Sequence, residues 1–335
     1  MARTIPLRLR LALAALLGLL VLGGCSHRSP GVLYQSDRGP LTPAQLGLWE
    51  ELRADVQAFS REVGPRSAAG SLPKLLDAER WLLARLRAEG MEPERDEVLV
   101  NGVMTANVLV TFPGTESPDE ILLLGAHYDT VPRSPGANDN ASGVALLFAL
   151  ARRLRDDPAP RTVRLAFFVN EEPPFTGGIL MGSRVYAERC AARGDDIVLM
   201  VSVDSVGYYT SEADSQGQPY FFYGLPEVGN FIAFASDEDH EPLLDRVVSI
   251  YQSECRFPSV GIVSTAASDH GSFLRQGFPA LLLTDTREAR DPHSHKPTDV
   301  ADNLNYDDMA RMAEGFLRMV RVLAAAGTEL SVDPR

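Results

Sequence analysis

The chain is 335 residues long, 45% hydrophobic and 23% charged, with a formal net charge of −13. That composition supports a folded core and excludes intrinsic disorder, and the acidic balance argues against a nucleic-acid partner, whose phosphates need a basic face. Three cysteines are too few for a disulfide scaffold.

At the N-terminus, Arg3, Arg8 and Arg10 precede an apolar run from Leu11 to Leu22, followed by Gly23, Gly24 and Cys25. The run is too short to span a bilayer and has the charge layout of a secretory signal. Leu22-Gly23-Gly24-Cys25 resembles the bacterial lipobox, in which the cysteine becomes the lipidated first residue. Residues 1–24 are therefore expected to be a lipoprotein signal peptide and Cys25 the lipidation site; a plain signal peptide cut at a small residue is the alternative. Loss of 1–24 would remove three arginines and no acids, bringing the net charge to about −16. Ser26, rather than an aspartate, follows the cysteine. By resemblance to known lipoproteins this favours the outer membrane, where the cell has one. The expected location is the bacterial cell envelope, with membrane contact through the N-terminal lipid alone.

Residues 25–46, rich in Ser, Pro, Gly and charge, read as a tether. The folded domain is expected over 47–327, with 328–335 as a tail. Leu48, Leu52, Val56, Phe59 and Val63 recur at helical spacing until Gly64-Pro65. A second helix, 74–89, follows Pro73 and stops at Gly90. Strands are expected at 97–101 and 105–112, joined by a turn at Asn101-Gly102. Buried strands then alternate with helices: ILLLGAHYDT, a helix over 141–154, TVRLAFFVN, a helix over 182–193, and DIVLMVSVD. Helices at 243–251 and 306–325 flank a further strand, FPALLLTD. Continuous Val/Ile/Leu/Phe runs between helices indicate a single α/β domain, with a mixed, mainly parallel sheet covered on both faces.

Charged residues collect at the carboxyl ends of these strands, the edge where open α/β sheets place ligands. One strand ends in His127-Tyr128-Asp129, the next in Asn170-Glu171-Glu172, the third in Asp204. Asp139 sits in GANDNASG just before a helix, and HSHKPTD carries His293 and His295. On an extended chain His127 and Asp129 point the same way. Asp129 is thus expected to accept a hydrogen bond from one ring nitrogen of His127 and leave the other for a metal. Glu171 and Glu172, being adjacent, are expected to point apart, one towards a metal and the other towards the reacting water. Asp139, opening a helix, is favoured by the local dipole and is a natural bridge between two cations. Each motif alone is ordinary: a surface pair, solvated glutamates, a helix N-cap, a strand-end turn. Together so many carboxylates would repel one another unless cations neutralised them. Two imidazoles among them favour zinc over magnesium.

HYDTV, GANDNASGVA, NEE, VDSVGY, SDHGSFLRQGFPA and HSHKPTD occur in this order. In that set the chain resembles the secreted two-zinc aminopeptidases, whose relatives include plasma glutamate carboxypeptidase and the glutaminyl cyclases. The resemblance covers residues 47–327 and implies a sheet of about eight strands between helices. It also implies two zinc ions, one bound by His127 and Asp204, the other by Glu172 and His295, with Asp139 bridging. Glu171 would be the general base and Asp129 would orient His127. The implied reaction is hydrolysis of peptide substrates at their free N-termini.

Several positions depart from the pattern. Ser294 precedes His295 where some relatives carry an aromatic that helps hold the oxyanion, which leaves His270, Tyr208, Tyr209 and His293 as candidate donors. His293 also competes with His295 as ligand, although HKPTD matches the family's His-x-Pro-x-Asp pattern. The stretch PPFTGGILM after Glu172 is longer than in the compact relatives and is expected to shape a substrate pocket. A glutaminyl cyclase, an acyltransferase using one zinc, is the rival activity. Those enzymes build their pocket from tryptophans, and here Trp49 and Trp81 lie in the N-terminal helices. A metal-free binding module is the second rival, disfavoured by the complete ligand set. Arg184 and Arg287 are available to hold a terminal carboxylate in a carboxypeptidase or dipeptidase. Tyr208, Tyr209, Phe221, Phe222 and Tyr223 are candidates for an apolar pocket, with core packing the commoner use. Cys190 and Cys255 are candidates for a disulfide or for free thiols.

Overall fold

A computed structural model describes residues 38–100, 102–218, 225–264 and 267–330. The expected signal peptide, Cys25, most of the tether, Asn101, Phe221, Phe222, Tyr223 and the last five residues of the tail lie outside the described residues.

The first helix, α1 (Pro43–Ala58), begins inside the expected tether. Thr42 Oγ1 accepts the Gln45 N–H and the Gln45 side chain accepts the Thr42 N–H, a reciprocal cap with Pro43 at the first helical position. Folded structure is therefore already present within the expected tether, where Arg38 also donates to the Asn230 carbonyl at 2.6 Å and lies 4.7 Å over the Phe257 ring. Leu48, Leu52 and Val56 form its buried stripe, and a π-helical turn, Phe59–Val63, carries the chain to Gly64. At the other end Leu330 is buried and Arg161 donates to the Thr328 carbonyl at 2.7 Å, so 328–330 belong to the domain and not to a tail.

Among the described residues eight strands form one sheet: β1 (Glu94–Val100), β2 (Val103–Phe112), β3 (Ser117–His127), β4 (Arg161–Phe168), β5 (Asp196–Val203), β6 (Ile232–Ser236), β7 (Ser259–Val263) and β8 (Ala280–Thr284). Their spatial order is β1-β2-β4-β3-β5-β8-β6-β7. The inner strands β4, β3, β5 and β8 run parallel, with antiparallel pairings of β2 to β4 and of β6 to β8 at the flanks. The single mixed sheet matches the expected fold class. Strands β6 and β7 escaped the sequence reading because five-residue apolar runs have no length to separate them from helix or loop.

Alternate residues of the inner strands enter opposite cores. Leu122, Leu124, Val163, Leu165, Phe167, Leu199, Val201 and Val203 join the larger core. There they meet α1, α2 (Leu72–Ala88), α3 (Gly143–Asp156), α5 (Glu241–Glu254) and α7 (Tyr306–Leu323). Leu123, Ala166, Phe168 and Met200 face the other way, towards Tyr186 and Cys190 of α4 (Gly182–Arg193) and Phe273 of the short α6 (His270–Leu274). Cys190 lies in this second core and Cys255 at the margin of the first, so the sheet separates them, and both are free thiols. Trp49 packs edge-on to Tyr306, and Trp81 packs against Phe59 and Phe148. Both tryptophans thus serve the helical layer.

From β3 the chain crosses to β4 on one side and later returns to β5 on the other. Such a reversal opens a crevice beyond the carboxyl ends of the strands. A fully buried cation, Arg66, ties the loops at this crevice together. Its guanidinium donates to the carbonyls of Tyr128, Gly64 (3.0 Å), Pro135 (2.7 Å) and Gly136 (3.1 Å), and lies 4.3 Å over the Phe59 ring. Burial pulls its pKa down to about 10, which leaves it charged at neutral pH. Replacing Arg66 with Met would leave four carbonyls without this donor, at ~1–3 kcal/mol for each one left unsatisfied, offset in part by removing a buried charge. We expect the Arg66→Met domain to lose about 3 kcal/mol or more of stability in urea titration; an unchanged midpoint would disprove the clamp.

Candidate metal centre

Each acidic or imidazole group at the crevice is delivered by the end of an element. His127 is the last residue of β3, and Asp204 directly follows β5. Asp139 lies in a π-type turn, Ala137–Ser142, with non-helical φ −109° and ψ 88°, and a cis peptide joins it to Asn140. It therefore does not open a helix, as the sequence suggested; α3 begins only at Gly143. The turn starts at Gly136, where φ is +61° and a Cβ would fall 2.3 Å from Thr130 Cγ2. The neighbours of Asp139 fasten it. Asn140 accepts from Gly143 N and Ser205 N and donates to Val203 O, while the Asp299 carboxylate accepts the N–H groups of Asn138 (2.7 Å) and Asp139 (3.1 Å).

The assembled cluster is centred on Asp139. Its Oδ1 lies 3.1 Å from Nε2 of His127 and its Oδ2 lies 3.1 Å from Nε2 of His295. Asp204 Oδ1 stands 3.5 Å from Nε2 of His127, and Glu172 Oε2 stands 3.3 Å from Nε2 of His295. Among the described residues, three groups offer ligand atoms within 4.8 Å of one another: His127, Asp139 and Asp204; Asp139, Glu172 and His295; and His127, Glu171 and Glu172. His127 Nε2, both Asp139 oxygens, Glu171 Oε1 and Glu172 Oε1 are buried with no hydrogen-bond partner. Buried polar atoms are rarely left so; imidazole nitrogens and carboxylate oxygens gathered this closely suit divalent cations.

Electrostatics describe the same crowding. Burial pushes the Glu171 and Glu172 carboxyls well above the ordinary carboxylate range, and Asp139 adds to the shift of Glu172. Burial acts likewise on Asp139, but the imidazoles of His127 and His295 outweigh it and hold Asp139 well below that range. On His127, burial opposes the charge while Asp129, Asp139 and Asp204 prevail and raise its pKa well above the ordinary value. A set of acids and bases that must share protons in this way is one that cations can displace protons from.

Not every sequence expectation is met. Asp129 is adjacent to His127, whose Nδ1 lies 3.2 Å from its carbonyl oxygen and 3.5 Å from Oδ1. The second ring nitrogen of His127 thus meets Asp129 at its carbonyl with the carboxylate beside it, and that carboxylate also accepts the N–H groups of Glu171 (3.0 Å) and Glu172 (3.2 Å). Glu171 and Glu172 do not point apart, because β4 ends at Phe168 and Asn170 has φ +59°; alternation applies only to an extended chain. His295, not His293, reaches the cluster; His293 bonds Thr298 and packs edge-on to Tyr208. Tyr209 is buried with its hydroxyl donating to Val206 O at 3.0 Å, which withdraws it as an oxyanion donor. Tyr208 is half-buried beside His293. His270 is buried and pulled down to about 4, hence neutral, with Nδ1 unpartnered. In the stretch after Glu172, Thr176 donates to the Glu171 carbonyl and Ile179 is 70% exposed at its tip. Arg184 pairs with Glu188 on α4, and Arg287 reaches Asp204. Ser268 and Arg66 were missed altogether: Ser268 Oγ donates to Asp204 Oδ2 at 2.9 Å, and only its place beside Asp269-His270 hinted at a role.

Comparison with known proteins bears on this geometry. A model of peptidase family M28 matches residues 107–320, a span that includes His127, Asp139, Glu171, Glu172, Asp204 and His295. The uncharacterized protein YfbL of Escherichia coli is 30% identical over 298 residues, covering 84% of this chain and 90% of that one. A probable leucine aminopeptidase of Arthroderma otae is 27% identical over 267 residues, covering 72% of this chain and 65% of the fungal one. Among solved structures, the zinc aminopeptidase BSAP of Bacillus subtilis aligns with a TM-score of 0.68 at 12% identity, over 84% of this chain and 97% of that one, a likeness of fold. The length of the family match and the extent of the similarity to YfbL show that the chain belongs to peptidase family M28.

Proposed function

We propose that the chain is a zinc-dependent aminopeptidase that hydrolyses the first bond of peptides with a free N-terminus. The observation that carries this reading is Asp139, which offers one oxygen to each of two imidazoles at equal distance, 3.1 Å. That arrangement supports two neighbouring cation positions sharing one carboxylate. His127 and Asp204 would hold one zinc, Glu172 and His295 the other. Bound there, the ions would lower the pKa of a shared water and polarise the substrate carbonyl.

The chain's own groups do the rest. Glu171 Oε1 is buried with no hydrogen-bond partner, so it is free to take a proton from the attacking water and return it to the leaving amine as the C–N bond breaks. Asp129 anchors the backbone of base and ligand together through the Glu171 and Glu172 amides. Ser268 fixes the rotamer of Asp204. The acidic wall suits the ammonium group of a free N-terminus. A cyclase pocket finds no support, since Trp49 and Trp81 are committed to the helical layer. The lipobox-like segment supports anchoring through Cys25 in the bacterial envelope, facing the periplasm from the outer membrane where one is present.

Glu171→Gln should keep its zinc content, measured by atomic absorption, and lose about 10²–10⁴-fold in kcat; full turnover would exclude Glu171 as base. Peptides with a free amine should be cleaved, and their N-acetylated forms should not. Cleavage of the blocked peptides would remove the aminopeptidase reading, and pyroglutamate formation from glutaminyl peptides without cleavage would favour the cyclase. Cys25→Ser, expressed as the full chain, should move the protein from the membrane pellet to the soluble envelope fraction; persistence in the pellet would argue against the lipid anchor.

A further inference from the structure

One cation beside the proposed metal centre, Arg287, is launched from an unusual stretch of backbone. Thr286 and Arg287 follow β8 with φ of +75° and +45°, two consecutive non-glycine residues in the left-handed region. Such backbone persists only where its surroundings over-determine it, and it concentrates at functional sites. The surroundings here are specific. Asp285 Oδ1 accepts the Arg287 N–H at 2.9 Å, and its Oδ2 accepts the Tyr208 N–H and the Asn138 side chain. Thr286 Oγ1 donates to Gln216 Oε1 and accepts from Arg290 Nε.

The side chain launched from this backbone ends at the cluster, with Nη1 3.2 Å from Asp204 Oδ2. Asp204 does not lack donors without it, because Ser268 Oγ and Ser205 Oγ already bond its two oxygens. The remaining guanidinium donors are barely engaged: Nε lies 3.6 Å from Glu288, whose own side chain is 69% exposed. Arg287 itself keeps 22% exposure. A planar guanidinium fork, partly exposed beside a site rich in carboxylates, matches a carboxylate on a substrate.

We propose that Arg287 is a specificity-determining residue that recognises a carboxylate on the peptide, so that the enzyme favours substrates carrying one beside the scissile bond. Two parts of a peptide supply that group: an acidic first side chain, or the α-carboxylate of a dipeptide. The inference rests on the aminopeptidase reading.

The test compares zinc-loaded wild type, Arg287→Met and Arg287→Lys on four substrates: leucyl-glycine, leucyl-glycinamide, and the glutamyl and leucyl aminomethylcoumarins. Arg287 also touches Asp204, so absolute rates are expected to fall with Met, and the readout is the ratio of kcat/KM within each pair. Wild type should favour the carboxylate member of at least one pair, and Met should reduce that ratio about tenfold or more, with Lys restoring part of it. A change in the dipeptide pair assigns the α-carboxylate; a change in the coumarin pair assigns the acidic side chain. Ratios near unity in wild type, or ratios unmoved by Met, would overturn the proposal while leaving the aminopeptidase intact. No hydrolysis of any substrate by wild type would defeat the aminopeptidase reading, and this inference with it.

Discussion

The structure turns on the concentration of negative charge beyond β3. Asp129, Asp139, Glu171, Glu172 and Asp204 are each no more than 2% exposed. An unpaired ion buried to that degree costs several kcal/mol even after relaxation. The fold answers with positive partners and directed amides. Arg66 lies behind the loops and Arg287 at the front, while Asp129 and Asp299 accept backbone N–H groups. What these do not offset are the inward oxygens of Asp139, Glu171 and Glu172, which converge with two imidazoles. The proposed cations occupy that remainder, so the same electrostatic deficit that would destabilise the empty arrangement is what gives it affinity for metal.

The sheet makes this concentration possible without burying loops that lack partners. Strands β3, β4 and β5 end side by side, so three segments distant in sequence present their last residues at one edge. The chain reversal at β3 keeps helices from covering that edge. The polar residues next to the proposed ligands then satisfy the exposed backbone. Asn140 bonds the end of β5 and the start of α3, and Asn138 spans Asp285, Asp291 and Gly207.

Much of this was legible in the sequence, and the boundary has a physical cause. Strands buried on both faces leave continuous apolar runs, so β3, β4, β5 and β8 and the acids that end them could be placed by inspection. The limits of helix α4 are legible because Gly182 and Gly194 bracket its pattern. What escaped depends on direction rather than on residue type. Whether Glu171 and Glu172 diverge is set by the left-handed Asn170, and that Asp129 serves two amides as well as an imidazole is set by how the next loop folds back. Arg66 illustrates the same limit: its partners are backbone carbonyls, which carry no signature in the residue names.

The two imidazoles differ in their contact with solvent, and the difference has a kinetic side. His127 is wholly enclosed, whereas the side chain of His295 is 39% exposed. Under the proposed ligand assignment the ion beside His127 would be held by an imidazole shut off from water, and the ion beside His295 by one that water reaches. Exchange with the free metal of the compartment would then begin at the outer imidazole rather than at the enclosed one.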